Sequence, residues 1–233
     1  MQGKKPYIKV TKDGPYMVFG IEDISEKLIL ADEKGISVSY GDGRKFDIRP
    51  GEPVALCRCG RSETAPFCDS SHLKPYAFDG TETAGFRPYM MDAERLPGPD
   101  VDLLDNERFC AFARFCDAAG RIWNLVEEGG EWEAGQARKE ADLCPAGRLI
   151  ILDKAGRVLE DRLPPSIALI EDAKLKISGP VWVRGGIRVE SEYGESYEVR
   201  MKQTLCRCGR SSSKPFCNGA HASAPGWRAK SGR

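Results

Sequence analysis

The segment LCRCGRSETAPFCDSSH at 56–72 returns, without a gap, as LCRCGRSSSKPFCNGAH at 205–221. A chain that spells one chemistry-bearing segment twice has to place both copies in equivalent surroundings, so the repeat restricts the fold more than local propensity does. The similarity continues upstream. Gly14-Pro15-Tyr16-Met17-Val18 resembles Gly179-Pro180-Val181-Trp182-Val183, and KFDIRPGEPVAL and SYEVRMKQTL show the patchy apolar alternation of strands. The chain reads as two copies of a β-rich unit, each ending in cysteines and a histidine. Two copies in one chain imply an internal pseudo-two-fold, the counterpart of a symmetric dimer.

The nine cysteines are grouped as Cys57, Cys59 and Cys68, then Cys110, Cys116 and Cys144, then Cys206, Cys208 and Cys217. Both histidines of the chain, His72 and His221, stand four residues after the last cysteine of an outer group. An odd cysteine count and an N-terminal stretch with no apolar run after its charges argue against a secreted disulfide framework and for metal binding. In an extended segment Cys57 and Cys59 lean to one face. Gly60 permits a sharp turn, and Pro66 suits the start of a short helix on which Cys68 and His72 would share a face. Cys206, Cys208, Cys217 and His221 repeat this, with Gly209 and Pro215 in the same places. Three thiolates and an imidazole can hold zinc or an iron–sulfur cluster. Cys-x-Cys is unusual in structural zinc sites, whereas a two-iron cluster takes one cysteine pair at one iron and a mixed pair at the other.

These segments resemble the CDGSH iron–sulfur family of mitoNEET type, whose signature is Cys-x-Cys-x2-Ser/Thr-x3-Pro-x-Cys-Asp-Gly-Ser/Ala/Thr-His. The first copy supplies Cys57, Cys59, Ser62, Pro66, Cys68, Asp69, Ser71 and His72, with Ser70 where the family has glycine. The second supplies Cys206, Cys208, Ser211, Pro215, Cys217, Gly219, Ala220 and His221, with Asn218 where the family has aspartate. With the upstream strands the resemblance covers over half the chain. It implies a [2Fe-2S] cluster in each module, two in all, with Cys57 and Cys59, and Cys206 and Cys208, on the inner irons. Cys68 and His72, and Cys217 and His221, fall on the outer irons. It also implies modules paired through a β-sandwich.

The middle third differs. LLDNERFCAFARFCDAAGRIWNLV carries apolar residues at helical spacing, EWEAGQARKEADLC is a polar helix-forming stretch, and CPAGRLIILDKAGRVLE reads as a β-hairpin bending at Lys154-Ala155-Gly156. Cys110 and Cys116, followed by Cys144 and a proline, resemble single-cluster bacterial ferredoxins and their divergent relatives. Three thiolates can hold a [3Fe-4S] cluster, or a [4Fe-4S] cluster with another fourth ligand. The missing fourth cysteine instead suits a packing insert with buried free thiols.

The expected fold is α+β, mainly β. A first CDGSH module spans 1–85, a ferredoxin-like α/β insert spans 100–163 and a second module spans 164–233, together forming a monomer with an intramolecular pseudo-dimer. Thirty-five basic and 35 acidic residues balance, which argues against a nucleic-acid groove binder. No apolar run reaches the roughly 18 residues of a membrane helix. Arg58, Arg61, Arg207 and Arg210 beside the cysteines suit either thiolate stabilisation or a solvated surface. No catalytic triad or phosphate loop is present. The sequence therefore describes a cytoplasmic, non-enzymatic carrier of electrons or clusters, with a redox protein or apo-acceptor as partner. A structural zinc or cluster protein, and an electron-relay subunit of a separate oxidoreductase, are the alternatives.

Overall fold

The computed structural model describes residues 5–74, 78–224 and 227–230. The first third gives β1 (Tyr7–Val10), β2 (Tyr16–Phe19), β3 (Ile24–Ala31), β4 (Ser37–Phe46) and β5 (Val54–Leu56). The middle gives β6 (Glu94–Pro97), β7 (Val101–Asp105), α1 (Ile122–Glu128), α2 (Glu131–Leu143) and β8 (Leu149–Asp153). The last third gives β9 (Ser166–Asp172), β10 (Ile177–Arg184), β11 (Arg188–Glu190) and β12 (Lys202–Leu205). The protein is thus mainly β, with several sheets and few helices.

The repeated stretches do not close on themselves. One sheet runs β11-β1-β2-β5 and the other β12-β10-β9-β3-β4, so each takes strands from the other copy. Two parallel pairings make the exchange: β1 on β11, with Ile8 opposite Val189, and β3 on β9, with Ile24 opposite Ile167. Parallel neighbours need a long crossover, and the intervening chain supplies it. Ile8, Val18, Ile24 and Leu56 from the first copy share one buried cluster with Ile167, Leu169, Val181 and Leu205 from the second. Alternation along these strands turns Ala168, Ile170 and Trp182 to the other face, where they are buried in a second cluster with Ile29, Ala113 and Phe115.

The middle region forms its own sheet, β6-β7-β8, and its first strand lies ahead of residue 100. Ile122, Leu125 and Val126 of α1 pack with Ala137 and Ala141 of α2 against Leu103 and Ile151. The helix expected over 103–126 is largely absent. Val101–Asp105 is strand, and only Ile122–Glu128 is α-helix. Between them, Phe112 (φ 55°) and Arg114 (φ 62°) take left-handed conformations that end any helix. The apolar spacing was real, but the residues pack as a wound loop: Ala111 and Phe115 are buried while Phe112 is exposed. The hairpin after Cys144 forms, with Leu152 bridged to Val158. Lys202, at the start of β12, donates from Nζ to the carbonyls of Ala141 (2.9 Å) and Asp142 (3.3 Å) near the end of α2. This ties the middle region to the strand leading to Cys206.

Asp102, side chain buried on β7, accepts from Arg95 Nε (2.9 Å) and Lys154 Nζ (2.7 Å). These bonds hold its carboxyl down to about 2. A carboxylate depressed in the fold stabilises above its ordinary pKa and loses that contribution as pH falls through the depressed value. Asp102→Asn is therefore expected to cost about 2 kcal/mol at neutral pH, with the gap to the parent closing between pH 4 and 2. Urea unfolding across that range checks it.

Candidate metal centres

Each site begins where a β-strand ends. Cys57 follows β5 and donates its N–H to Pro66 O (2.8 Å), while Cys68 N donates to Ala55 O (2.9 Å). In the second copy Cys206 N donates to Pro215 O (2.8 Å) and Cys217 N to Thr204 O (2.9 Å). The helix expected at Pro66 does not form. The proline carbonyl serves the cysteine N–H, Ala65-Pro66 and Lys214-Pro215 are cis, and only the 3-10 turn Ser71–Leu73 is helical in the first copy. Ser62 and Ser211 close the loops by donating to Phe67 O (2.6 Å) and Phe216 O (2.7 Å). That contact explains the serine of the motif.

The expected donors meet in pairs. Cys57 and Cys59 Sγ lie 3.6 Å apart, and Cys206 and Cys208 Sγ 3.8 Å. Cys68 Sγ lies 3.5 Å from His72 Nδ1, and Cys217 Sγ 3.5 Å from His221 Nδ1. Among the described residues no three Cys, His, Asp or Glu side chains gather about one point. A donor set split into two pairs suits a centre with two metal atoms. The Cys59 thiol, hydrogen-bonded to Cys57 and assisted by the backbone N–H groups of Ser62 and Gly60, lowers the Cys57 thiol while Cys59 is raised. The Cys208 thiol similarly lowers Cys206. In each pair the first cysteine is thus the one favoured as thiolate, the form that binds metal.

The two copies touch at these pairs. Cys59 and Cys208 form an antiparallel bridge. A Cβ on Gly60 would stand 2.5 Å from Cys208 O, and one on Gly209 2.6 Å from Cys59 O. Both glycines also have positive φ, 73° and 75°. The glycine expected for a turn is thus equally required for close approach. Arg58 and Arg207 are buried rather than solvated and hydrogen-bond chiefly to backbone, and the Arg207 charge also favours the Cys217 thiolate. Arg58 donates to Gly14 O (2.6 Å), Gly80 O (2.9 Å) and Thr11 O (2.6 Å), and Arg207 to Gly179 O (2.9 Å), Ile170 O (3.0 Å) and Glu171 Oε1 (2.7 Å). They anchor the Gly-Pro strand entries to the cysteine loops. Arg61 and Arg210 are exposed.

The departures from the repeat have local causes. Asp69 accepts from Glu63 N (2.8 Å) and Ser71 N (2.9 Å), whereas Asn218 accepts from Ala220 N (3.2 Å) and donates to Ser212 Oγ (2.7 Å). Ser70 sits at φ 66°, where its counterpart Gly219 has φ 80°. Tyr16, whose counterpart is Val181, places its hydroxyl 2.9 Å from Cys206 O and 3.0 Å from Pro215 O across the copies. Only the twice-repeated Gly-Pro stretch hinted at that contact.

Cys110, Cys116 and Cys144, far apart in sequence, line one cavity of about 30 Å³ with Phe112, Phe115 and Pro145. Burial, then Asp117 and Cys144, push the Cys116 thiol up to about 12. Arg148, held by Asp105 at 2.6 and 2.7 Å, borders the same cavity.

Residues 13–73 and 178–222 match the model of the CDGSH-type iron-binding zinc finger, and residues 96–154 match that of the divergent 4Fe-4S mono-cluster. Neither the comparison with curated proteins nor that with solved structures gave a match. No helix among the described residues is long and apolar enough to cross a membrane.

Ser70→Gly is expected to stabilise the protein by about 0.5–1 kcal/mol, because relief of left-handed strain exceeds the entropy glycine loses on folding. Gly219→Ala, at φ 80° with its new Cβ 3.2 Å from Cys110 O, is expected to cost about 2 kcal/mol. Arg58→Lys is expected to cost about 2 kcal/mol, since an ammonium cannot span three separated carbonyls. Denaturant midpoints at constant slope check all three.

Proposed function

We propose, for a chain whose outer segments are of the CDGSH type and whose middle is of the divergent mono-cluster type, a multi-centre one-electron carrier that serves a separate redox protein. The carrying observation is the repeated donor geometry: a Cys–Cys pair and a Cys–His pair in each copy, with matching separations. On this reading Cys57, Cys59, Cys68 and His72 hold one [2Fe-2S] cluster, and Cys206, Cys208, Cys217 and His221 a second. Such clusters supply one-electron exchange, at potentials set by ligand type and surroundings.

The chain's own residues do the positioning. Strand-end hydrogen bonds fix the paired sulfurs, Ser62 and Ser211 hold the loops, and the two arginines prevent the loops from shifting against the sheets. The exchanged strands supply the pseudo-two-fold pairing of the modules. The two inner cysteine pairs lie back to back through the Cys59–Cys208 bridge, which suits transfer between sites within one chain better than independent storage.

The shared cavity of Cys110, Cys116 and Cys144 supports a third centre. Its lining offers three thiolates and no fourth cysteine, histidine or carboxylate, a donor set suited to a three-iron cluster or a four-iron cluster completed from outside the cavity.

Iron, acid-labile sulfide and zinc on anaerobically purified protein test this. The expected content is about seven or eight iron and about eight sulfide per chain. About four of each would reduce the middle cysteines to packing, and zinc without sulfide would replace the electron carrier by a structural metal protein. Cys116→Ser is expected to remove the iron and sulfide above four and leave the CDGSH-type centres intact.

A further inference from the structure

The two histidine sites have the same donors but different neighbours. Cys217 and His221 are 2% and 4% exposed, whereas Cys68 and His72 are partly exposed, next to Leu73 at 76%. The cover over the second site comes from the middle region. Gly219, two residues after Cys217, lies so close to the Cys110–Cys116 loop that a Cβ there would stand 3.2 Å from Cys110 O and 3.4 Å from Phe112 Cβ. Phe109 sets its ring edge-on to Phe216, centroids 5.5 Å apart, so residues adjoining Cys110 and Cys217 are packed together as well. At the first site the corresponding ring, Phe67, meets Phe46 of its own module.

The cover is fastened at both ends. Arg114 donates to Asp172 Oδ2 (2.8 Å) at the end of β9, and Arg200 lies 3.8 Å over the Phe109 ring. The first site has instead an open cleft of about 280 Å³ reaching Cys68, walled by Ile48, Pro53, Val54 and Phe67.

We infer that the three cysteine sites are arranged in series: the middle cysteines abut the second histidine site, that site meets the first through the Cys59–Cys208 bridge, and Cys68 and His72 form the end of the series that the middle region leaves uncovered. The inference deepens the proposed function and rests on it. The Cys110–Cys116 loop is then a seal that makes two sequence-equivalent sites unequal in access.

Two measurements test the order. In the full-length metal-free chain, iodoacetamide labelling read by peptide mass spectrometry should modify Cys68 at least about tenfold faster than Cys217, and Phe112→Ala should narrow the gap. Equal or reversed rates overturn the seal, whatever the metal content. In the loaded protein, Cys206→Ser/Cys217→Ser leaves the first site and Cys57→Ser/Cys68→Ser leaves the second. Decay of the remaining reduced two-iron EPR signal under excess bathophenanthroline disulfonate should be at least about tenfold faster for the first site. If a variant fails to fold, the parent chain decides by itself: two phases are expected, and a single phase removes the serial order. Absence of iron and of any such signal with labelling as expected would remove the electron-carrier reading and leave the seal standing.

Discussion

Two backbones approach more closely at Gly60 and Gly209 than any other residue type allows, each glycine facing the carbonyl of the cysteine from the other copy. The rest of the architecture is arranged around that contact. The Cys59–Cys208 bridge requires β5 and β12 to end at the same place from different sheets, and the cores behind them to merge. Arg58 and Arg207 then hold the strand entries at the distance the contact sets. A side chain at either glycine would push the inner cysteine pairs apart, so the spacing of the candidate ligands and the joining of the copies depend on the same few atoms.

Much of the candidate site was legible because its residues are chemically distinctive and repeated. The outer cysteines pair with one another and with the two histidines as their spacing suggested, whereas the prolines start no helix and instead present carbonyls to Cys57 and Cys206. The buried arginines were only half legible: charge adjacent to cysteine suggests electrostatics, which Arg207 supplies to Cys217, but the carbonyls that hold the two side chains, up to 47 residues away, are recorded by no local pattern. The Cys110–Cys116 loop was read as helix because Phe109, Ala113 and Phe115 are apolar at near-helical spacing. Positive φ at Phe112 and Arg114 is not announced by glycine or asparagine. Strand exchange left no trace either, since β11 is only three residues long and its partner is decided by the whole core.

The repeat is an approximation that the structure uses unevenly. Asp69 and Asn218 both accept from the N–H two residues on, but Asp69 also accepts from Glu63 N where Asn218 donates to Ser212 Oγ. Ser70 takes the left-handed conformation at φ 66°, whereas a Cβ on Gly219 would press on the neighbouring loop. Tyr16 supports the second cysteine loop across the copies, and Val181 returns no equivalent. Two identical subunits would have to make every such choice twice. One chain can make it once on each side.

The exchange of β3 and β11 also bears on how the molecule is made. β1 cannot gain its outer neighbour until residues 188–190 have been synthesised, and β3 lacks β9 until 166–172 have emerged. On a ribosome the first third therefore waits with unpaired strand edges, a state prone to wrong association, while the middle region, with its own sheet and helices, can fold early. Topology of this kind, rich in distant pairings, assembles slowly. The cysteines of the first copy are thus the earliest to be synthesised and among the last to be enclosed, and whatever protects nascent thiols from oxidation must act until nearly the whole chain is present.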